Sequence, residues 1–137
     1  MATRACFTID EANALIPRLE MLMARMQHIT IAIRSAVHDS PEGDVPEVHT
    51  TTDVLRVRPD LAPHVRELEE IVDEIERLGC QFKGLDLGLV DFPAMADGVP
   101  ILLCWQYGEK QIAYWHQVDE GFTSRRALRA ADLPRLQ

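Results

Sequence analysis

The residues of this chain that could do chemistry crowd into one short stretch. Residues 103–116 read Leu-Cys-Trp-Gln-Tyr-Gly-Glu-Lys-Gln-Ile-Ala-Tyr-Trp-His and hold both tryptophans and both tyrosines of all 137 residues. Cys104, Glu109 and His116 lie among them, with Asp91 before and Arg125 after. Histidine changes charge near neutral pH, so His116 suits proton transfer or metal ligation. Asp91 and Glu109 are its expected carboxylate partners, and Arg125 an anion contact. Trp105 and Trp115 would wall an apolar cleft on which these few polar groups converge. The candidate catalytic set is therefore Asp91, Glu109, His116 and Arg125. The candidate cofactor-binding pair is Trp105 and Trp115. Glu109 and His116 are candidate ligands for a divalent metal ion. A plainer account competes, in which aromatic cross-strand pairs simply stabilise a hairpin packed on helices.

Whether Cys104 joins this set depends on the hairpin register. A two-residue turn at Gly108-Glu109 pairs Trp105 with Ile112 and Leu103 with Tyr114, and it puts Cys104 and His116 on opposite sides. A three-residue turn pairs Cys104 with Tyr114 and Leu102 with His116. Cys104 and His116 then lie two pairs apart, in indirect reach only. Either way a Cys104–His116 nucleophile pair has no third orienting group that the sequence implies.

Other chemistries are excluded by what their motifs require. Cys6, Cys80 and Cys104 are odd in number and far apart. That argues against a disulfide framework and a clustered structural zinc site, and it points to a reducing, cytoplasmic setting. There is no phosphate-binding GxxxxGK[ST] loop and no GxSxG elbow. A di-iron bundle needs Glu-x-x-His, whereas His64-x-x-Glu67 runs in the reverse order. Lys and Arg number 14 against 22 Asp and Glu, for a net charge of −8, which disfavours a nucleic-acid surface. No apolar run is long enough for a membrane span, and residues 1–8 lack the apolar core of a secretory leader.

Two helices must position the segment. Thr8 followed three residues later by Glu11 has the capping-box spacing. Leu15, Leu19, Leu22, Met26, Ile29, Ile33 and Ala36 then alternate four and three apart, which predicts a helix over 8–38 with a kink near Pro17. Residues 39–59 read as a long connection. Leu61, Val65, Leu68, Val72 and Ile75 resume the spacing, predicting a second helix over 60–78 whose outer carboxylates (Glu67, Glu69, Glu70, Asp73, Glu74, Glu76) form a solvated face. The matched stripes predict an antiparallel pair. The first helix overhangs by about twelve residues, roughly 18 Å, an apolar surplus suited to a homodimer. After Gly79 the period falls to two. Strands are expected over 88–92, 100–107 and 111–118, with turns at Asp97-Gly98 and Gly108-Glu109, and a short helix over 124–131. The expected fold is α+β: one domain over 1–137, a long helix pair packed on a small antiparallel meander.

The run Lys83-Gly84, Gly88-Leu89-Val90-Asp91-Phe92-Pro93, Leu103-Cys104-Trp105, Gly108-Glu109, Ile112, Tyr114-Trp115-His116 and Gly121-Phe122 with Arg125 resembles domain-of-unknown-function family 2203, a family of small bacterial proteins. Phe7-Thr8 through Leu15-Ile16-Pro17 agrees with it too. The resemblance implies no activity. It marks Asp91, Glu109, Trp115, His116 and Arg125 as matching motif positions, although Ser124 stands where the family pattern has glycine. Two functions follow as expectations. One is a small-molecule or metal-binding protein, with enzymatic chemistry left open, using the hairpin pocket. The other is a non-catalytic dimeric scaffold built on the heptad helices.

Overall fold

The computed structural model describes residues 6–39, 50–85 and 87–129. Helix α1 spans Ile9–His38 and begins where the capping box places it. The Thr8 hydroxyl accepts the Glu11 N–H at 3.1 Å, and the Glu11 carboxylate accepts the Thr8 N–H at 3.0 Å. Pro17 lies inside this helix. The heptad stripe is core: Leu19, Leu22, Met26, Ile29 and Ile33 are buried, and Leu15 and Ala36 pack against them partly buried.

The second long helix is shorter than expected. A 3-10 turn at Pro59–Leu61 leads into α3, Ala62–Arg77. Arg18 pairs with Glu74 and Arg25 with Glu67, so α1 and α3 run antiparallel. The expected connection 39–59 contains a helix that hydropathy hides. Thr50 and Asp53 form a second capping box, and α2, Thr51–Val57, follows it. Val54 of α2 is buried, and Arg58 donates to the Ala36 carbonyl oxygen at 2.7 Å. The far end of the α1 stripe is thereby packed within one chain, with Ile29, Ile33 and Val37 buried, while Met21 and Ile31 on another side of α1 stay exposed.

The sheet has five strands in the order β1-β2-β3-β4-β5, all antiparallel. They are β1 (Gln81–Phe82), β2 (Leu89–Ala96), β3 (Val99–Gln106), β4 (Tyr114–Gln117) and β5 (Arg126–Ala127). β2 continues past Pro93, where a stop was expected. Proline has no ladder donor, but β1 pairs only with Val90 and Asp91, so no outer strand needs one. The Pro93 carbonyl instead accepts the Phe7 N–H at 2.7 Å. The Asp97-Gly98 turn has φ of 51° and 78°, both left-handed as a two-residue hairpin requires.

The short helix expected over 124–131 is not formed by its described residues. Phe122–Ser124 is a 3-10 turn, Arg125 is extended, and β5 pairs with Tyr114 and Trp115. The open edge of β4 offers ladder hydrogen bonds that a helix there would forgo. Residues 130 and 131 lie outside the described residues. One face of the sheet, with Val90, Phe92, Ala94, Ile101, Leu103 and Trp105, joins the helices in the core. No helix among the described residues is long and apolar enough to cross a membrane.

Candidate metal centre

The other face of the sheet carries the polar residues. Side chains alternate along a strand, and directly paired residues share a face. Asp91 on β2 is paired with Cys104 on β3, and Cys104 with Tyr114 on β4. His116 lies two residues beyond Tyr114, opposite Leu102. Asp91, Cys104 and His116 therefore occupy one patch, facing away from the helices.

This is the longer-turn register. The connection from β3 to β4 is not a two-residue turn at Gly108-Glu109 but runs over 107–113, pinned by its own polar contacts. Glu109 donates its N–H to the Gln106 carbonyl at 2.9 Å, and the Trp105 indole donates to the Glu109 carbonyl at 2.9 Å. Ile112 donates its N–H to the Asn13 side chain of α1 at 2.6 Å.

Asp91 and His116 are the buried charged or polar side chains among the described residues, each 2% exposed. His116 Nδ1 lies 2.8 Å from the Gln117 carbonyl oxygen. A carbonyl only accepts, so Nδ1 carries a hydrogen and Nε2 is the variable nitrogen. Nε2 faces Asp91 Oδ2 at 3.1 Å. Asp91 Oδ1 is buried and accepts no hydrogen bond. A donor atom from each of Asp91, Cys104 and His116 lies within 4.8 Å of the other two. Burial pushes the Cys104 thiol up to about 12; the Asp91 charge adds to this and Arg125 opposes it.

That wiring does not make a cysteine nucleophile. Such a site needs the imidazole turned to the sulfur and a third group orienting its other nitrogen. Here Nε2 is turned to Asp91, and burial keeps the thiol protonated. The wiring does resemble a ligand set, because metal-binding histidines commonly hold their second N–H on a carbonyl or carboxylate.

The remaining expected site residues separate into two places. Arg125 donates through Nη2 to Glu109 Oε1 at 2.6 Å and to the Cys104 carbonyl oxygen at 3.2 Å. Its guanidinium lies 4.1 Å from the Tyr114 ring centre. Glu109 also accepts the Gln106 N–H at 2.6 Å, and it is not one of the three converging donors. Arg125 and Glu109 thus border the patch next to Cys104. Trp105 is fully buried in the helix-facing core. Trp115 lines a cleft of about 640 Å³ with Pro100, Ile101, Gln117 and Val118. Both tryptophans point to the sheet face opposite His116, so they do not wall its pocket. Cys104, which the sequence offers only as a nucleophile, is the third converging donor.

No curated protein and no solved structure matches the chain. A family model described as "Uncharacterized conserved protein (DUF2203)" matches residues 5–128, so the chain belongs to that family.

Proposed function

We propose that this protein binds a divalent transition-metal ion between Asp91, Cys104 and His116, with zinc the best fit to the donors. The observation that carries this reading is the convergence of three buried donors, one of them from a carboxylate that also has a buried oxygen, Asp91 Oδ1, with no hydrogen-bond partner. Leaving such an atom unsatisfied costs about 1–3 kcal/mol, which coordination would remove. A carboxylate, a thiolate and a neutral imidazole together carry two negative charges, so one dication makes a neutral buried assembly. Sulfur and imidazole donors select zinc or copper over magnesium and calcium. Donor atoms in a tetrahedral zinc site lie about 3.3–3.8 Å apart, so small side-chain rotations suffice to close the set. The reading keeps His116 as a ligand and takes its carboxylate from Asp91 rather than Glu109, whose oxygen is engaged by Arg125.

The test is elemental analysis of protein purified without chelator, followed by cobalt substitution. Cobalt bound to Cys104 gives a thiolate charge-transfer band in the near ultraviolet. Cys104→Ser should abolish that band, and His116→Ala should weaken cobalt binding while far-UV circular dichroism stays unchanged. Protein that takes up neither zinc nor cobalt overturns the reading.

A further inference from the structure

Resting on that metal reading, we infer that the ion's remaining coordination position takes a small carboxylate-class oxyanion, held jointly by the metal and Arg125. Three protein donors leave one tetrahedral position, as in zinc sites that bind an exogenous ligand. Arg125 stands at the edge of the three donors. Its Nη2 donates to the backbone oxygen of Cys104, the central residue of the patch. Its charge also acts on the Cys104 thiol.

The guanidinium is fixed before any ligand arrives. Nη2 serves both Glu109 and Cys104, while the rings of Tyr114 and Phe122 lie 4.1 and 5.2 Å from its carbon. The Arg125 side chain is only 11% exposed. Yet its Nε–H is buried and has no acceptor. A buried charged donor left unmatched is costly, more so than a neutral one.

Two buried groups that flank Cys104 are therefore unmatched and of opposite kind: an acceptor on Asp91 and a donor on Arg125. The metal answers the acceptor. An oxygen atom bound to the metal answers the donor. Glu109 neutralises the guanidinium charge through Nη2 and leaves the Nε–H without an acceptor. Phe122, whose ring lies beside the guanidinium, is 36% exposed, while Asp91 and His116 are each 2% exposed. One coordination position and one N–H ask for no more than a small carboxylate such as formate or acetate.

The experiment titrates acetate into the cobalt-loaded full-length chain and follows the visible cobalt bands. The expected result is a saturable shift in the wild type. Arg125→Gln should keep cobalt at one ion per chain and weaken acetate at least about tenfold. Arg125→Lys, which keeps the charge and loses the planar fork, should fall between. If Arg125→Gln does not fold, Arg125→Lys decides by the same readout. Cobalt bands that ignore acetate, or an Arg125 variant that responds like the wild type, overturn the inference and leave the metal site standing. A chain that takes up no cobalt overturns both.

Discussion

The Asp91 carboxylate meets the His116 imidazole at 3.1 Å, with both side chains 3% exposed. The two residues are 25 positions apart in sequence and sit on strands that are not neighbours. Nδ1 is committed to the Gln117 carbonyl, which leaves Nε2 facing Oδ2. In the proposed site a metal ion would take the lone pairs through which these two atoms now meet.

Substitutions at Asp91 separate that contact from metal ligation. Asp91→Ala leaves His116 Nε2 buried without a partner and should cost about 3 kcal/mol in urea unfolding. Asp91→Asn can still donate to Nε2, so stability should stay within about 1 kcal/mol of the parent while metal affinity falls. Asp91→Leu with His116→Leu should recover most of the loss from Asp91→Ala, since apolar replacement of a buried pair is often neutral. An Asp91→Asn protein that binds zinc like the parent would remove Asp91 from the ligand set.

Parts of this site are legible in the sequence. The Asp97-Gly98 turn signal, as a two-residue hairpin, sets Ala96 against Val99 and so Asp91 against Cys104. The longer-turn alternative for the next hairpin set Cys104 against Tyr114 and Leu102 against His116. Combining the two registers brings Asp91, Cys104 and His116 onto one face. Choosing between the turns was beyond local spacing, because the deciding contact is Ile112 with Asn13, 99 residues apart. The capping box at Thr8 and the α1 heptad were legible because they are local. Helix α2 was not, since its one buried residue, Val54, leaves almost no apolar period. β1 and β5 are two-residue edges whose pairing is tertiary.

Metal uptake should displace the Cys104 proton. Burial keeps that proton on the sulfur of the apo protein, and it does not survive coordination by the thiolate. Calorimetry in buffers of different ionisation enthalpy should count at least about one, with apparent affinity rising about tenfold per pH unit for that proton. A count near zero would sink coordination by Cys104.

Gly88 closes the loop ahead of β2 with φ of +64°, and a Cβ there would meet the Tyr107 Cβ at 2.9 Å. Gly88→Ala should therefore cost about 1–3 kcal/mol, from backbone strain and steric overlap combined. Gly98→Ala is the control: φ is +78°, but nothing lies within 4 Å of the new methyl. Its cost should be the backbone part alone, about 1 kcal/mol. Equal melting shifts for the two variants would contradict the close approach of Tyr107.

Alkaline unfolding ties stability to the site. Burial pushes the thiols of Cys80 and Cys104 from 9.0 up to about 12. A raised thiol means that the folded chain keeps its proton after the unfolded chain has lost it. The stabilisation is whole below pH 9 and drains away as pH climbs toward 12, with each thiol contributing up to about 1.4 kcal/mol per pH unit. In chelator the slope should therefore reflect both thiols, and Cys80→Ala or Cys104→Ala should each remove one share. Zinc changes this for one residue only. A zinc-bound Cys104 is already a thiolate in the fold, so above pH 9 it holds no proton in either state and its share of the slope vanishes. Cys80 is not among the three converging donors and keeps its share. Urea midpoints measured across pH 9–11, with and without zinc, should thus show the metal-loaded protein losing stability about half as steeply. Identical slopes in zinc and in chelator would place the ion, if bound, away from Cys104.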